Sequence, residues 1–196
     1  MKFFLTLLAL LLTLTSFAVE NGAIAPDFSL KGAAGKEVKL SDYKGKTVVL
    51  EWTNHGCPFV KKHYESGNMQ ALQKKYTEKK IVWLSIISSA EGKQGYVNEK
   101  EAAADKLKFN SGATDVLLDP KGVVGQMYEA KTTPHMFIIS AEGKLLYQGA
   151  IDSINSTDKE DVAKAENYVS AALDSILDKK EIKAAKTKSY GCSVKY

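Results

Sequence analysis

The feature that most constrains the fold is the stretch from Thr47 to Tyr64, which reads TVVLEWTNHGCPFVKKHY. Its first part, Thr47 to Trp52, is mostly β-branched or apolar, which is typical of a buried strand. Pro58 is expected to open a helix, because a proline at the first helical position has its φ preset and needs no N–H partner. Cys57 would then lie at a helix N-terminus, where free backbone N–H groups and the helix dipole favour thiolate over thiol. The sequence therefore places one reactive sulfur at a strand-to-helix junction.

The first 18 residues are predicted to be a cleaved signal peptide, not part of the fold. Lys2 precedes an uncharged apolar run from Phe3 to Phe17, and Ser16-Phe17-Ala18 fits a small-x-small cleavage site. A membrane anchor would need about 20 apolar residues, and this run is shorter. We therefore expect an exported protein, periplasmic or secreted, that begins at Val19 and has no membrane anchor after cleavage.

The rest of the chain is long enough for one domain with a sizeable core. We expect this domain at residues 19–180, followed by a lysine-rich tail at residues 181–196 that carries Cys192. The net charge of +4 arises from 27 lysines and 23 acidic residues, and the sequence contains no arginine. Because the lysines are scattered among the acids, they indicate a solvated surface and no nucleic-acid partner. Any mechanism that needs a guanidinium group is excluded.

The order of the predicted elements indicates an α/β fold with a mixed central sheet and helices on both faces. The segments Phe28–Leu30 and Val38–Leu40 flank a glycine-containing turn and predict an N-terminal β-hairpin. Further strands are expected at 81–87, 114–118, 135–140 and 144–151, with helices at 98–109 and 123–128. An apolar period that includes Val162, Ala165 and Val169 predicts a closing helix from Asp158 to about Lys180.

Three features together resemble the thioredoxin fold: the order of the elements, Cys57-Pro58 after the first core strand, and Thr133-Pro134 before a hairpin. The N-terminal segment APDFSL, with VKLSDYKGKTVVL after it, is similar to the redoxin branch, which contains the alkyl hydroperoxide reductase and thiol-specific antioxidant proteins. The resemblance extends over roughly Ala25 to Ile151. It implies a thiol-dependent oxidoreductase without a cofactor. Such a protein reduces a peroxide, or a disulfide of a protein or small molecule, at the expense of an external thiol.

The chain departs from both kinds of relative around its candidate cysteine. Thioredoxins carry Cys-x-x-Cys, but Cys57 is followed by Pro58, Phe59 and Val60, so a local dithiol is absent. Peroxiredoxins place Thr or Ser three residues before the reactive cysteine and use a distant arginine. Here that position is Asn54, a candidate substrate-binding residue. The groups with which a peroxiredoxin polarises its peroxide are therefore missing.

The resemblance assigns roles to four residues. Cys57 is the candidate attacking thiolate, and Glu51 occupies the position of a buried acid that accepts a proton beneath the active cysteine in thioredoxins. A carboxylate buried there would have a raised pKa; the alternative is a strand residue that reaches solvent at a sheet edge. Thr133 and Pro134 resemble the cis-proline loop that faces the active cysteine and binds extended substrates through its backbone.

The sequence contains three histidines, and each lies near the candidate site in the chain or in the predicted fold. His55 precedes Cys57 by two residues and His135 follows the loop proline, so either could stabilise a thiolate or carry a proton. His63 is expected at the surface beside lysines. Together with Cys57 they could bind copper or zinc, but their spacing is irregular and no metal site is predicted.

Cys192 is the second candidate cysteine, and its role stays open. It could be a resolving thiol that forms a disulfide with oxidised Cys57, one half of a permanent structural bridge, or a spare thiol in a frayed tail. Two other functions also remain possible on this fold: a copper-binding protein, and a binding module that has lost catalysis.

Overall fold

The computed structural model describes residues 19–196, so the predicted signal peptide lies outside the described residues. At its centre is a seven-stranded mixed sheet in the order β2-β1-β5-β4-β3-β7-β8, and β6 and β9 form a separate two-stranded sheet. The strands are β1 (Ser29–Gly32), β2 (Glu37–Lys39), β3 (Val48–Trp52), β4 (Val82–Ile87), β5 (Asp115–Leu118), β6 (Thr132–Thr133), β7 (His135–Ile139), β8 (Leu145–Gly149) and β9 (Cys192–Ser193).

The strand that leads to Cys57 lies in the middle of the large sheet. β3 is parallel to β4 on one side and antiparallel to β7 on the other, and all five of its residues are buried. Since side chains alternate along a strand, Leu50 and Trp52 face one layer of the core and Val49 and Glu51 face the other. The apolar character of this stretch thus follows from burial on both faces.

The helices occupy both faces of the sheet, as predicted. They are α1 (Pro58–Glu65), α2 (Asn68–Thr77), α3 (Glu99–Lys108), α4 (Val123–Met127) and α5 (Tyr168–Leu177). Residues of α1, α2 and α5 pack around Val49 and Trp83, whereas α4 packs on the opposite face around Leu50 and Trp52. None of the helices within residues 19–196 combines the length and the apolar character that crossing a membrane would require.

The predicted N-terminal hairpin is confirmed. β1 and β2 pair antiparallel with Leu30 opposite Val38, and β1 also pairs with β5, so the hairpin extends the central sheet. The remaining predicted strands, and the helices expected at 98–109 and 123–128, agree with the structure to within a few residues.

The closing helix predicted from Asp158 to about Lys180 is wrong in its first half. A single 3-10 turn, Lys159–Asp161, lies near its predicted start, and α5 begins only at Tyr168. Asn167 sets that start, because its side-chain oxygen accepts a hydrogen bond from the Ser170 N–H at 2.8 Å. Such a cap satisfies a donor that the helix itself leaves unpaired.

The C-terminal tail is paired with the domain along much of its length. The Thr187 N–H donates to the Gln148 carbonyl of β8 at 3.0 Å, and β9 pairs antiparallel with β6. After β9, the Lys195 carbonyl accepts a hydrogen bond from the Ala90 N–H at 2.8 Å. The tail therefore runs from β8 across the loop before β7, and the alternative of a frayed tail is excluded.

Candidate active site

Cys57 lies where the chain leaves β3 and enters α1. It is the N-cap of α1, and Pro58 takes the first helical position, so the predicted junction is confirmed. The Cys57 N–H donates to the Asn54 carbonyl at 2.9 Å, and its carbonyl accepts from the Lys61 N–H at 2.9 Å. The side chain is 0% exposed, and its Sγ donates to the Thr133 carbonyl oxygen at 3.1 Å.

The Thr133-Pro134 loop faces Cys57, as predicted, and its peptide bond is cis. Thr133 also has a partner on its other side, because it lies opposite Cys192 where β6 pairs with β9. The backbone that the resemblance assigns to substrate binding is therefore occupied by the protein's own C-terminal strand.

Cys192 lies against Cys57. Its position opposite Thr133 brings it into the apolar cluster that contains Cys57. Each thiol shifts the pKa of the other, and both cysteines are free thiols in this structure. The fold thus brings close together two thiols that lie far apart in the sequence.

The two thiols differ in pKa. Burial acts to raise the pKa of Cys57, but its contacts with Cys192 and Thr133 and with the Val60 backbone outweigh burial, so this pKa lies below its ordinary value of 9.0. Burial and the neighbouring Cys57 raise the pKa of Cys192 to about 11. Cys57 is therefore the more acidic thiol of the pair, and Cys192 is the less acidic one.

Glu51 is completely buried, which excludes the alternative of an edge residue that reaches solvent. Its carboxylate accepts four hydrogen bonds, from Tyr64 Oη (3.0 Å), Gln73 Nε2 (3.1 Å), Trp83 Nε1 (2.8 Å) and Ser85 Oγ (3.0 Å). Burial raises the pKa of Glu51, and these hydrogen bonds offset the shift only in part. None of the four bonds is to a thiol, so proton transfer between Glu51 and Cys57 stays a prediction.

His135 packs on Phe137, with 4.5 Å between ring centroids, in the core layer opposite that of Cys57. Its Nδ1 accepts a hydrogen bond from the Lys131 N–H at 3.2 Å. Burial, assisted by the charge of Lys131, lowers the pKa of His135 to about 4, so the ring is neutral at pH 7. It cannot offer a positive charge to a thiolate there, and its predicted role in proton transfer stays a prediction.

The prediction that His63 lies at the surface is wrong. His63 is fully buried, because Val60, His63 and Tyr64 form the i, i+3, i+4 stripe with which α1 faces the core. Its Nε2 is 3.8 Å from Oδ2 of the buried Asp152. His55 lies elsewhere, stacked on Phe109 at 3.9 Å.

The histidines therefore do not converge on Cys57. Within residues 19–196, no group of three His, Cys, Asp or Glu side chains is arranged to hold a metal ion. The copper-binding alternative consequently has no support in the described structure.

Asn54 stabilises the loop before Cys57. Its Oδ1 accepts from the Gly56 N–H at 2.8 Å, and its Nδ2 donates to the Gln94 carbonyl at 3.0 Å. Both polar ends of the side chain are thus engaged within neighbouring loops. Substrate binding by Asn54 stays a prediction.

The sequence analysis missed a buried polar cluster beside the thiols, formed by Lys62, Asp152 and Tyr190. The three residues come from α1, from the loop after β8 and from the tail. Lys and Asp are residue types that usually lie at surfaces, and nothing in the local pattern around them indicates burial. Only the tertiary structure brings them together.

The fold and the buried thiol pair define a protein of the redoxin and thiol-disulfide oxidoreductase class. Residues 21–148 match the model of the AhpC/TSA family, and the chain belongs to that family. The resemblance stated from the sequence, and the α/β fold that it implied, are thereby confirmed.

Named relatives and a solved structure agree with this assignment. The thioredoxin-like protein YneN of Bacillus subtilis is 32% identical over 125 residues, which cover 64% of this chain and 68% of YneN. The thiol-disulfide oxidoreductase ResA of Bacillus subtilis is 29% identical over 130 residues, or 66% of each chain. The chain thus spans about two thirds of the length of these relatives. An uncharacterized conserved protein from Geobacillus kaustophilus shares the fold, with a TM-score of 0.77 and 24% identity over 90% of this chain and 92% of its own.

Proposed function

We propose that this protein is a thiol-disulfide oxidoreductase in which Cys57 attacks the substrate and Cys192 resolves the product. The observation that supports it most directly is the contact of two thiols with opposed pKa shifts at the N-terminus of α1. The relatives named as thioredoxin-like and as thiol-disulfide oxidoreductases support the reaction class.

The proposed reaction transfers two electrons from the protein to a substrate disulfide. The Cys57 thiolate attacks one sulfur of that disulfide, forms a mixed disulfide and releases the other substrate sulfur as a thiolate. Cys192 then attacks the Cys57 sulfur, which closes a Cys57–Cys192 disulfide and releases the second substrate thiolate. An external thiol reductant returns the protein to its dithiol form.

The pKa shifts give these two steps an order. Apart from burial, the interactions that raise the pKa of Cys192 come from Cys57. Once Cys57 is part of a mixed disulfide it carries no negative charge, so the pKa of Cys192 falls towards its ordinary value and more of it is the reactive thiolate. Cys192 therefore becomes a better nucleophile once Cys57 has reacted.

Access to Cys57 requires movement of the tail. Because the Cys57 side chain is fully buried, a substrate reaches it only when β9 leaves β6. The Thr133-Pro134 loop would then offer its free backbone groups to the substrate. Both closed and open forms of the tail are thus part of the proposed cycle.

A disulfide is favoured over a peroxide as the substrate. The position at which a peroxiredoxin has Thr or Ser carries Asn54, and both polar ends of Asn54 are engaged in loop contacts. The chain also has no arginine to hold a thiolate and a peroxide together. Attack on a disulfide needs no such pair of groups, because the leaving thiolate carries the charge away.

The experiment that tests the proposal compares three variants of the full chain in reducing a disulfide-containing protein substrate and hydrogen peroxide. Cys57→Ser should lose all reaction. Cys192→Ser should react once and accumulate a mixed disulfide with the substrate protein, visible by non-reducing electrophoresis. Ser193→Ala, a neighbouring hydroxyl deletion, is the control and should turn over normally. Unchanged reduction by Cys57→Ser would contradict the proposal. If the wild type reduced peroxide faster than disulfide, the proposed substrate would be a peroxide and not a disulfide.

We also propose that the protein is exported. The support is the uncharged apolar run that follows Lys2 and the cleavage pattern that ends at Ala18. N-terminal sequencing of the protein isolated from its own cell envelope or medium should give Val19 as the first residue. An intact Met1 on protein found inside the cell would contradict export.

A further inference from the structure

The tail is held on both sides of Cys192, and the contact on its N-terminal side is buried. Tyr190 precedes Cys192 by two residues and is 9% exposed. Its hydroxyl donates a hydrogen bond to Oδ1 of Asp152, which is itself buried. Burial and the nearby Asp152 carboxylate raise the pKa of Tyr190, so the phenol keeps the proton that it donates.

The carboxylate that receives this bond is fixed by other parts of the domain. Asp152 Oδ1 also accepts from the Ile154 N–H at 3.0 Å, and its Oδ2 lies 3.4 Å from Lys62 Nζ. Lys62 in turn donates to the Ile154 carbonyl at 2.9 Å. The acceptor of the Tyr190 hydroxyl is therefore a rigid, charge-paired group that the tail does not provide.

The same cluster connects the tail to the helix that begins at Cys57. Lys62 belongs to α1, and its Nζ lies 5.9 Å from the centroid of the Tyr190 ring. Phe59, one turn earlier on α1, packs edge-on against the same ring at 5.9 Å. Tyr190 thus packs directly against α1. These contacts fix the tail relative to the helix that begins at Cys57.

Gly191 explains why a fixed Tyr190 also fixes Cys192. Gly191 has a φ of +134°, and a Cβ at this position would collide with the Thr133 carbonyl oxygen. The tail backbone therefore lies directly on the loop that contacts Cys57. With Tyr190 anchored, the next two residues have little freedom before β9 pairs with β6.

We propose that Tyr190 is a positioning residue: its bond to the buried Asp152 holds the tail closed, so that Cys192 covers and contacts the Cys57 thiol. This inference rests on the proposed pairing of the two cysteines. Release of the bond opens the tail and exposes Cys57, and its formation returns Cys192 to the reacting sulfur. Tyr190 itself touches neither thiol in this scheme and acts only through Cys192.

The test compares Tyr190→Phe with Tyr76→Phe in the reduced full chain. Tyr76 is a matched control, because its hydroxyl donates to the Asp174 carboxylate at 3.0 Å in the contact between α2 and α5. Iodoacetamide labelling, followed by peptide mass spectrometry, measures how often Cys57 opens to solvent. Tyr190→Phe should label Cys57 about tenfold faster than the wild type, the factor that loss of about 1.4 kcal/mol from a hydrogen bond to a charged group gives. Tyr76→Phe should label Cys57 at the wild-type rate.

A second readout separates positioning from a general loss of stability. Thiolate absorbance, titrated against pH, should show the pKa of Cys57 higher in Tyr190→Phe than in the wild type, shifted in the same direction as in Cys192→Ala, which removes the neighbouring donor altogether. The Tyr190→Phe/Cys192→Ala double variant should match Cys192→Ala alone, because Tyr190 acts through Cys192. Asp152→Asn should shift both readouts in the same direction as Tyr190→Phe, provided that urea unfolding shows it to be folded.

The outcomes distinguish the inference from the function on which it rests. Wild-type labelling and titration in Tyr190→Phe, with a shifted pKa of Cys57 in Cys192→Ala, would overturn the role of Tyr190 and leave the thiol pair intact. Additive shifts in the double variant would also overturn it, since Tyr190 would then act on Cys57 without Cys192. An unchanged pKa of Cys57 in Cys192→Ala would overturn the pairing of the thiols itself.

Discussion

At the scale of single residues, Glu51 shows most clearly how burial changes the acidity of a side chain. The sequence left open whether Glu51 is buried or reaches solvent at a sheet edge, and the structure shows that it is buried. The sequence did not indicate which groups would surround the carboxylate, because its four donors come from α1, α2 and β4. A buried carboxylate without a paired cation has a raised pKa, and that shift makes the stability of the protein depend on pH.

We predict that Glu51→Gln becomes more stable relative to the wild type as the pH rises. Because the pKa of Glu51 is raised by folding, the folded wild type binds more protons than the unfolded chain above the ordinary value of 4.5. Its stability therefore falls as the pH rises from that value to the folded pKa, with a limiting slope of about 1.4 kcal/mol per pH unit. Glu51→Gln does not ionise at this position, so it does not lose stability in this way.

Urea unfolding of both proteins at a series of pH values measures the difference. The same substitution at the exposed Glu78 is the control for replacing one carboxylate by an amide. The quantity compared is the free energy of unfolding of Glu51→Gln minus that of the wild type. If this difference stays constant or falls as the pH rises, the pKa of Glu51 is not raised.

His63 shows the limit of inference from residue type. Its neighbours in the chain are lysines, which indicated a solvated surface, yet the i, i+3, i+4 stripe with Val60 and Tyr64 decided its burial. The stripe was visible in the sequence. Asp152, the polar partner of the buried His63, could not be identified from the sequence. It follows β8 and lies near His63 only in the folded chain.

At the scale of elements, the sequence predicted the sheet well and the closing helix poorly. Alternating and continuous apolar runs identified the strands, since each run records burial against a sheet face. Val162 and Ala165 have the spacing of a helix but lie before α5. The chain there is fixed by contacts between its two ends, including the bridge of Asp152 with Asn167, and periodicity carries no information about such contacts.

β9, like its partner β6, is a strand that the sequence did not predict. It has two residues, and it exists because the tail meets the backbone of β6. Nothing in the local sequence GCSVKY distinguishes it from an unpaired tail. Consequently the position of Cys192, and with it half of the candidate site, becomes visible only in three dimensions.

We predict that Gly191→Ala lifts β9 from β6 and accelerates labelling of Cys57. The added Cβ would meet the Thr133 carbonyl oxygen, and the φ of +134° is one that residues with a side chain rarely adopt. A cost of about 1 kcal/mol or more to the closed tail should raise the labelling rate of Cys57 by about fivefold or more.

Gly143→Ala is the matched control for this prediction. Gly143 also has a positive φ, +82°, but a Cβ there would meet nothing within 4 Å. It lies in the turn between β7 and β8, so its substitution strains the backbone without touching the tail. Equal labelling of Cys57 in the two alanine variants would mean that the contact between Gly191 and Thr133 does not hold the tail.

At the scale of the whole molecule, the fold brings together two thiols that lie far apart in the sequence. The thiol at the start of α1 is held by the central sheet, and the second thiol arrives on a tail that crosses the domain. A thioredoxin carries both thiols on one helical turn. In the proposed cycle, Cys57 stays in place and the tail moves, so that the substrate and then Cys192 occupy the same position beside the Cys57 sulfur.

The measurement that tests this account most directly follows the reduced wild-type protein after it is mixed with one equivalent of oxidised glutathione. Samples are quenched with acid at successive times, and peptide mass spectrometry assigns each cysteine as thiol, mixed disulfide or Cys57–Cys192 disulfide. The account predicts that glutathione appears first on Cys57 and that the mixed disulfide then converts to the Cys57–Cys192 disulfide. Glutathione that appears first on Cys192, or a mixed disulfide on Cys57 that never converts, would contradict it.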